Sequence, residues 1–200
     1  FKFLQIVPDG LLGEFKLNQL DAESCIRELS FDLPISPTGK ALQSLDLADA
    51  FEKDSWARSG STYSKKLATL NLCSRGFLSG SIDLVFRDKE DLDEARWWIA
   101  DWKSNWIGER NSTGEVIACG PLHYDDEGMI EQMLIHHYPL QAHLYMVALH
   151  RFLSWRLPNY SPSQHLGGYA YVFLRGIPSV NEINGRITSE TTPGLIVEPA

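Results

Sequence analysis

The chain is 200 residues long with 44% apolar and 22% charged residues, a composition that excludes disorder and leaves room for one ordinary domain or two small ones. Its formal charge of −8 argues against a simple basic nucleic-acid binder, and its three scattered cysteines, Cys25, Cys73 and Cys119, exclude a disulfide framework or a CxxC zinc site. No apolar run is long enough for a membrane span, no secretory signal opens the sequence, and no GxxxxGK[ST] phosphate loop occurs, so a cytoplasmic protein without a P-loop is expected.

In chain order, residues 1–13 read as an apolar connecting segment with a Pro8-Asp9-Gly10 turn. Residues 27–33 alternate, with Leu29, Phe31 and Leu33 on one face, and predict a half-buried strand stopped by Pro34 and Pro37. Residues 41–51 predict a short amphipathic helix, and 54–66 a Ser-rich loop. Residues 76–87 predict a strand or strand pair, 88–94 an acidic hairpin tip, and 97–104 a second strand. Residues 105–127 are polar and Gly-dotted and read as a loop. A helix is predicted over 128–136 and another from Pro139, a favoured early helical residue, to about Trp155. Residues 167–176 predict a last strand, followed by a Gly/Pro-punctuated tail. The order predicts a mixed α/β sheet flanked by helices. Residues 1–26 are assigned to a linker or remnant of an upstream region and 27–200 to the domain proper, with an abrupt non-Met start that predicts N-terminal truncation.

The chemistry centres on Asp83, Asp101 and Lys103. Strand periodicity puts Asp83 with Val85, and Asp101 with Lys103, Ile99 and Trp97. If the two strands pair through the acidic tip, Asp83 lies beside Asp101. Two carboxylates and an ammonium then converge on an otherwise apolar sheet. Such a set, with a backbone carbonyl, suits a hard divalent ion such as Mg²⁺. The ion lowers the pKa of a bound water and neutralises charge on a phosphodiester in hydrolysis, while the lysine orients the water or stabilises the phosphate. An Asp/Lys pair two apart on a strand is also a common surface ion pair. The apolar neighbours Ile82, Leu84, Ile99 and Ala100, with Trp98, Trp102 and Trp106, make these strands central instead.

Gln141 and Tyr145 lie four apart on the second helix and share its face with Ala148 and Phe152, where they could order a lysine, a water or a phosphate, although from this motif alone a helix-surface polar pair is the favoured reading. Arg151, Arg156 and Arg175 are candidate DNA-phosphate contacts, with solvated surface as the default. The six histidines, His123, His136, His137, His143, His150 and His165, show no HExxH spacing and no cysteine partner; His143 and His150, two turns apart, read as helix-surface residues. Asn111-Ser-Thr and Asn159-Tyr-Ser match the glycosylation sequon by chance. Trp97 and Trp98 read as core.

Asp83, Asp101-Trp102-Lys103 and Gln141…Tyr145 resemble the RecB-like branch of the PD-(D/E)XK nuclease superfamily, with its G-x-x-D, D-Y-K and Q-x-x-x-Y elements. GFLSGSIDLVFR, IADWKSNWIG, YPLQAHLYMVALHRFL and HLGGYAYVFLRGI look like the nuclease domain at the C-terminus of RecB proteins, and the resemblance runs from about Gly13 to Ile196. It implies a restriction-endonuclease-like fold and an Mg²⁺-dependent exodeoxyribonuclease V activity in DNA-end processing and recombinational double-strand-break repair. One or two ions are implied, with Mn²⁺ or Ca²⁺ able to substitute in binding. Asp83 and Asp101 would be the metal carboxylates, Trp102, in the Tyr position, would give its backbone carbonyl, Lys103 would be the catalytic lysine, and Gln141 and Tyr145 would support them. The implied partners are DNA single strands and duplex ends, and RecC-like and RecD-like subunits. Glu28 falls where such nucleases often carry an acid, with a surface role equally open. The family's upstream metal-ligating histidine has no counterpart before Glu28. Two rival readings follow: a catalytically weak nuclease-fold module for DNA guidance or subunit binding, and a stand-alone or CRISPR-associated exonuclease, for whose iron–sulfur cluster the cysteines give little support.

Overall fold

The structure, a computed structural model, describes residues 20–36, 39–54, 56, 62–177 and 194–200. The predicted opening segment of residues 1–13 and most of the tail therefore lie outside the described residues. The described chain carries a five-stranded mixed sheet, flanked by helices, with strands in the order β1 (Cys25–Pro34), β4 (Phe77–Arg87), β5 (Trp97–Lys103), β8 (Leu166–Phe173) and β9 (Leu195–Pro199). It divides into two compact units at Leu29/Ser30 and Ser81/Ile82, within β1 and β4.

The unit Ser30–Ser81 holds the C-terminal half of β1, the start of β4, a two-residue pair β2 (Leu42–Gln43) with β3 (Cys73–Ser74), and helices α1 (Ser44–Phe51) and α2 (Tyr63–Ala68). Leu33 is buried and Phe31 half-buried, as the alternation predicts. Helix α1 starts three residues later than expected because Leu42 and Gln43 are drawn into the ladder with β3. It buries Ser44, Ala48 and Phe51, one helical face. Helix α2 corrects the expected loop over 54–66. Tyr63 and Leu67, four apart, are both buried, and the Tyr63 ring meets Phe51 edge-on at 5.4 Å. Burial of that pair outweighs the local Ser/Lys polarity, which read as a loop.

The other unit, up to Leu29 and from Ile82 onward, contains the chemistry. Strands β4 and β5 run antiparallel across the acidic turn, with Leu84 opposite Ala100 and Phe86 opposite Trp98. These four side chains form one buried cluster with Leu20, Cys25, Trp102 and Val197 against it. β5 then pairs in parallel with β8, placing Ile99 beside Tyr169, Asp101 beside Tyr171 and Lys103 beside Phe173. Gly167, second in β8, has to be glycine because a Cβ there would lie 2.3 Å from the Trp98 ring. Trp97 and Trp98 are core.

The expected loop over 105–127 holds more structure than its composition shows. A small hairpin, β6 (Glu109–Arg110) with β7 (Val116–Ala118), closes on the Asn111 carboxamide, whose Oδ1 accepts the Thr113 and Glu115 amides. A 3₁₀ turn (Pro121–His123) follows. Helix α3 (Asp126–Ile135) starts two residues earlier than predicted, capped by Asp125 accepting the Gly128 N–H at 2.9 Å. Helix α4 (Tyr138–Arg156) covers the predicted span and buries Ala142, Ala148, Leu149 and Leu153. A short helix α5 (Pro162–His165) leads into β8, and the tail supplies the edge strand β9, antiparallel to β8; neither shows in the sequence pattern. No described helix is long and apolar enough to cross a membrane.

Candidate active site

Strand β5 is buried along both faces, and Asp101 and Lys103 are 3% and 9% exposed. Placing an ion pair there requires partners on every side. The Lys103 Nζ forms an ion pair with Asp101 Oδ2 and donates to Gln141 Oε1 at 2.8 Å. It also stands 4.0 Å from the centre of the Tyr138 ring and 5.0 Å from that of Tyr171, close enough for both π faces to favour its charge. Gln141 Oε1 accepts a second bond from the Tyr171 hydroxyl at 2.9 Å, and its Nε2 donates to the Tyr145 hydroxyl at 3.0 Å.

Asp83 enters from β4. The β4–β5 register ends at Leu84 opposite Ala100, so the next ladder step would join Ile82 to Trp102. Instead the Trp102 N–H donates to Asp83 Oδ2 at 3.0 Å. A side-chain carboxylate thus replaces the ladder partner where the strands part. In a strand the N–H and C=O of one residue point the same way, so the Trp102 carbonyl is directed to the side that holds Asp83.

Burial is the main cause that raises the Asp101 pKa above the ordinary carboxylate value; Lys103 opposes it and the Asp83 charge adds to it. Asp101 Oδ2 is buried, and the Lys103 ammonium is the partner that stands against it. The Tyr145 hydroxyl is pushed up to about 12, first by burial and then by the negative charges of Asp101, Asp83 and Glu28. Burial likewise raises Tyr171, with the Asp101 charge next. Both phenols are neutral at any physiological pH.

The structure therefore brings Asp83, Asp101, Lys103, Gln141 and Tyr145 into one cluster, with the Glu28 charge felt at Tyr145. Glu28 has a left-handed backbone, φ 53, in the middle of β1, an uncommon conformation for a residue with a Cβ. The arginines are dispersed. Arg151 and Arg156 are exposed on α4, ~15 and ~22 Å along the helix axis from Gln141. Arg156 lies over the Trp155 ring at 4.4 Å. Arg175 leaves the end of β8 and donates from Nε to Ser104 O at 3.2 Å, next to Lys103 in sequence. The histidines are engaged apart from one another: His143 Nδ1 meets Pro139 O, His150 Nδ1 meets the Tyr160 hydroxyl, and buried His165 accepts the Ser161 N–H. Among the described residues no group of three or more His, Cys, Asp or Glu is arranged to hold a metal ion.

Tyr138 and Tyr171 are site residues that the sequence reading missed. Tyr171 is the register partner of Asp101 in a parallel pairing that motif spacing does not reveal. Tyr138 opens helix α4 three residues before Gln141 and so shares its face; that offset was the available signal.

No family model matches the chain. Similarity to curated proteins is extensive along this chain and confined to a small part of each relative. The chain is 37% identical over 170 residues to the RecBCD enzyme subunit RecB of Mycobacterium tuberculosis, an overlap of 80% of this chain and 14% of that protein. It is 35% identical over 181 residues to the subunit of the same name from Escherichia coli, 90% of this chain and 13% of the relative. Against that of Mycolicibacterium smegmatis identity reaches 47% over 103 residues, 52% of this chain and 9% of the relative. The chain thus spans about one seventh of the M. tuberculosis protein. Along most of its length, this is a RecB-related chain.

Proposed function

We propose that this chain is a PD-(D/E)XK-type nuclease domain that hydrolyses DNA phosphodiester bonds with a divalent metal ion, as part of an exonuclease V-like assembly. The observation that carries the reading is the buried Asp101–Lys103 pair with Asp83 bound to the next backbone amide. A buried ion pair is a poor device for stability alone, because desolvation offsets most of its attraction. It is a good device for holding charge where a phosphate must be bound and attacked.

The donors fit Mg²⁺. Asp83 and Asp101 supply carboxylates on adjacent strands, Asp101 Oδ2 meets Lys103 and no other partner, and the Trp102 carbonyl is directed to the same side as Asp83. A hard cation that keeps several waters needs only one or two protein carboxylates. When bound, the ion acidifies a water and screens the phosphate charge. The protein's own residues do the rest. Lys103 places a positive charge beside the phosphate and is held by Gln141 and the faces of Tyr138 and Tyr171. Tyr145 fixes the Gln141 amide from the other side as a neutral hydroxyl. Asp101 keeps Lys103 from turning away.

RecC-like and RecD-like subunits are proposed as partners from the RecBCD name that the relatives carry, and DNA ends and single strands are proposed as substrates on the nuclease reading. Cleavage of labelled single-stranded DNA with Mg²⁺ tests the reading. Asp101→Ala and Lys103→Ala are each expected to lower the rate by about 10²–10³-fold or more, the lower bound being what is lost when one electrostatic stabiliser is removed. Cleavage at wild-type rate in either variant would sink the assignment of these residues, and no cleavage by wild type would leave the non-catalytic guiding module in its place.

A further inference from the structure

We propose that Trp106, Arg110 and Arg175 form a binding site for single-stranded DNA beside the Lys103 end of the catalytic cluster; the proposal rests on the nuclease reading for the nature of that strand. Trp106 is half-buried, and both guanidiniums lie over its ring, each Cζ 5.8 Å from the ring centre. The two arginines come from separate elements, β6 and the chain after β8, so sequence proximity does not account for their meeting.

Each guanidinium is held by backbone and not by acid. Arg175 donates from Nε to Ser104 O at 3.2 Å, and Arg110 from a terminal nitrogen to Gly114 O at 2.9 Å. Among the described residues neither forms an ion pair. The acids of the same hairpin are turned to other partners, Glu109 to His123 at 3.5 Å and Glu115 to Asn111 at 2.7 Å. In a chain of net charge −8, two exposed guanidiniums gathered on one indole without a counter-ion make a local anion site. Each keeps several fixed N–H donors of the fork shape that suits phosphate.

Position gives the site its role. β5 and β8 are parallel and end side by side, and the Leu174 N–H donates to Lys103 O at 2.9 Å. Trp106 follows Lys103 by three residues, ~10 Å of chain at most. An indole with two guanidiniums 5.8 Å from its ring centre offers aromatic and guanidinium planes on which an unpaired base can stack and donors for the phosphates beside it, the combination used for single strands without sequence preference. A duplex, its bases stacked inward, has no use for the indole face.

The test measures anisotropy of a labelled oligothymidylate and of an abasic deoxyribose-phosphate oligomer of equal length, in chelator so that nothing is cut. Wild type is expected to favour the oligothymidylate. Trp106→Ala should weaken that probe about fivefold or more and leave the abasic one nearly unchanged, while Trp106→Phe, which keeps a stacking face and the fold, should retain most of the preference. Arg110→Ala and Arg175→Lys should weaken both probes, and the alanine change should flatten the slope of log K against log salt by about 0.7. Equal binding by wild type and all these variants, or a blunt duplex bound as tightly and indifferent to Trp106→Ala, overturns the site. A chain that binds in the expected pattern and never cuts DNA upholds the site and overturns the nuclease reading instead; cleavage with binding indifferent to all three residues does the reverse.

Discussion

The Gln141 carboxamide has one orientation that suits all its neighbours. Its oxygen accepts from Lys103 and Tyr171, and its nitrogen donates to Tyr145. A flip would set an NH₂ group against an ammonium and a second donor. Tyr171 therefore does more than fill space, since its hydroxyl helps to hold the amide that holds the lysine. Tyr171→Phe keeps the ring and its contact with the ammonium but deletes that donor. We expect it to lower stability by about 1–2 kcal/mol in thermal melts, the cost of one buried hydrogen bond, and to slow DNA cleavage about tenfold with little change in binding. A fall in binding without a fall in turnover would contradict this role. Periodicity put Asp101 with Lys103 on one strand face and Gln141 with Tyr145 on one helix face, while the family resemblance joined these residues and Asp83 into one candidate set. Tyr138 and Tyr171 were hidden because an aromatic ring reads as core until something charged is placed on it.

At the scale of elements, two local devices are open to test. Asp46 accepts the Gln43 N–H at 2.8 Å at the start of α1, and this bond is the chief cause that holds its carboxyl below the ordinary 3.8. A lowered folded-state pKa means stability that is present above 3.8 and lost as pH falls through the lowered value. Asp46→Ala should therefore melt at a lower temperature than wild type at pH 7, and the two curves should converge under strong acid. Persistence of the gap in acid would assign the loss to packing instead. Gly168 is the hinge of the β8–β9 pairing. Its φ is +140, and a Cβ there would lie 2.1 Å from Glu198 O. Gly168→Ala should cost about 1–3 kcal/mol in strain and speed amide exchange in Leu195–Pro199, with β5 amides protected as before. The long strands and α4 followed from period and turn signals, since they are long enough for period to speak. Helix α2, the β6–β7 hairpin and β9 did not, because two to six residues carry too little pattern and are ordered by what they pack or pair with.

For the molecule as a whole, the proposed metal makes stability a function of ion concentration. A ligand bound only by the folded chain adds about 2.7 kcal/mol at a hundredfold excess over its Kd, and each kcal/mol moves the melting point by about 2–4 °C at this size. Mg²⁺ should therefore raise the melting temperature of wild type, and Asp83→Asn should abolish the rise without destroying the fold. An equal rise in the variant would separate the ion from this carboxylate. The net charge of −8 is compatible with the proposed DNA substrate. Much of the acid sits in the 88–94 turn and at the start of α3, while two carboxylates belong to the proposed metal and the unpaired arginines gather by Trp106. The sequence alone determined the alternating strands, the long helix and the face shared by Asp101 and Lys103, because these are short-range consequences of backbone period and residue type. Tertiary structure alone decided that β4 parts from β5 at Asp83, that β8 brings Tyr171 to Asp101, and that Arg110 and Arg175 meet over one indole. Those are contacts between distant segments, fixed by strand register and packing, and no local pattern encodes them.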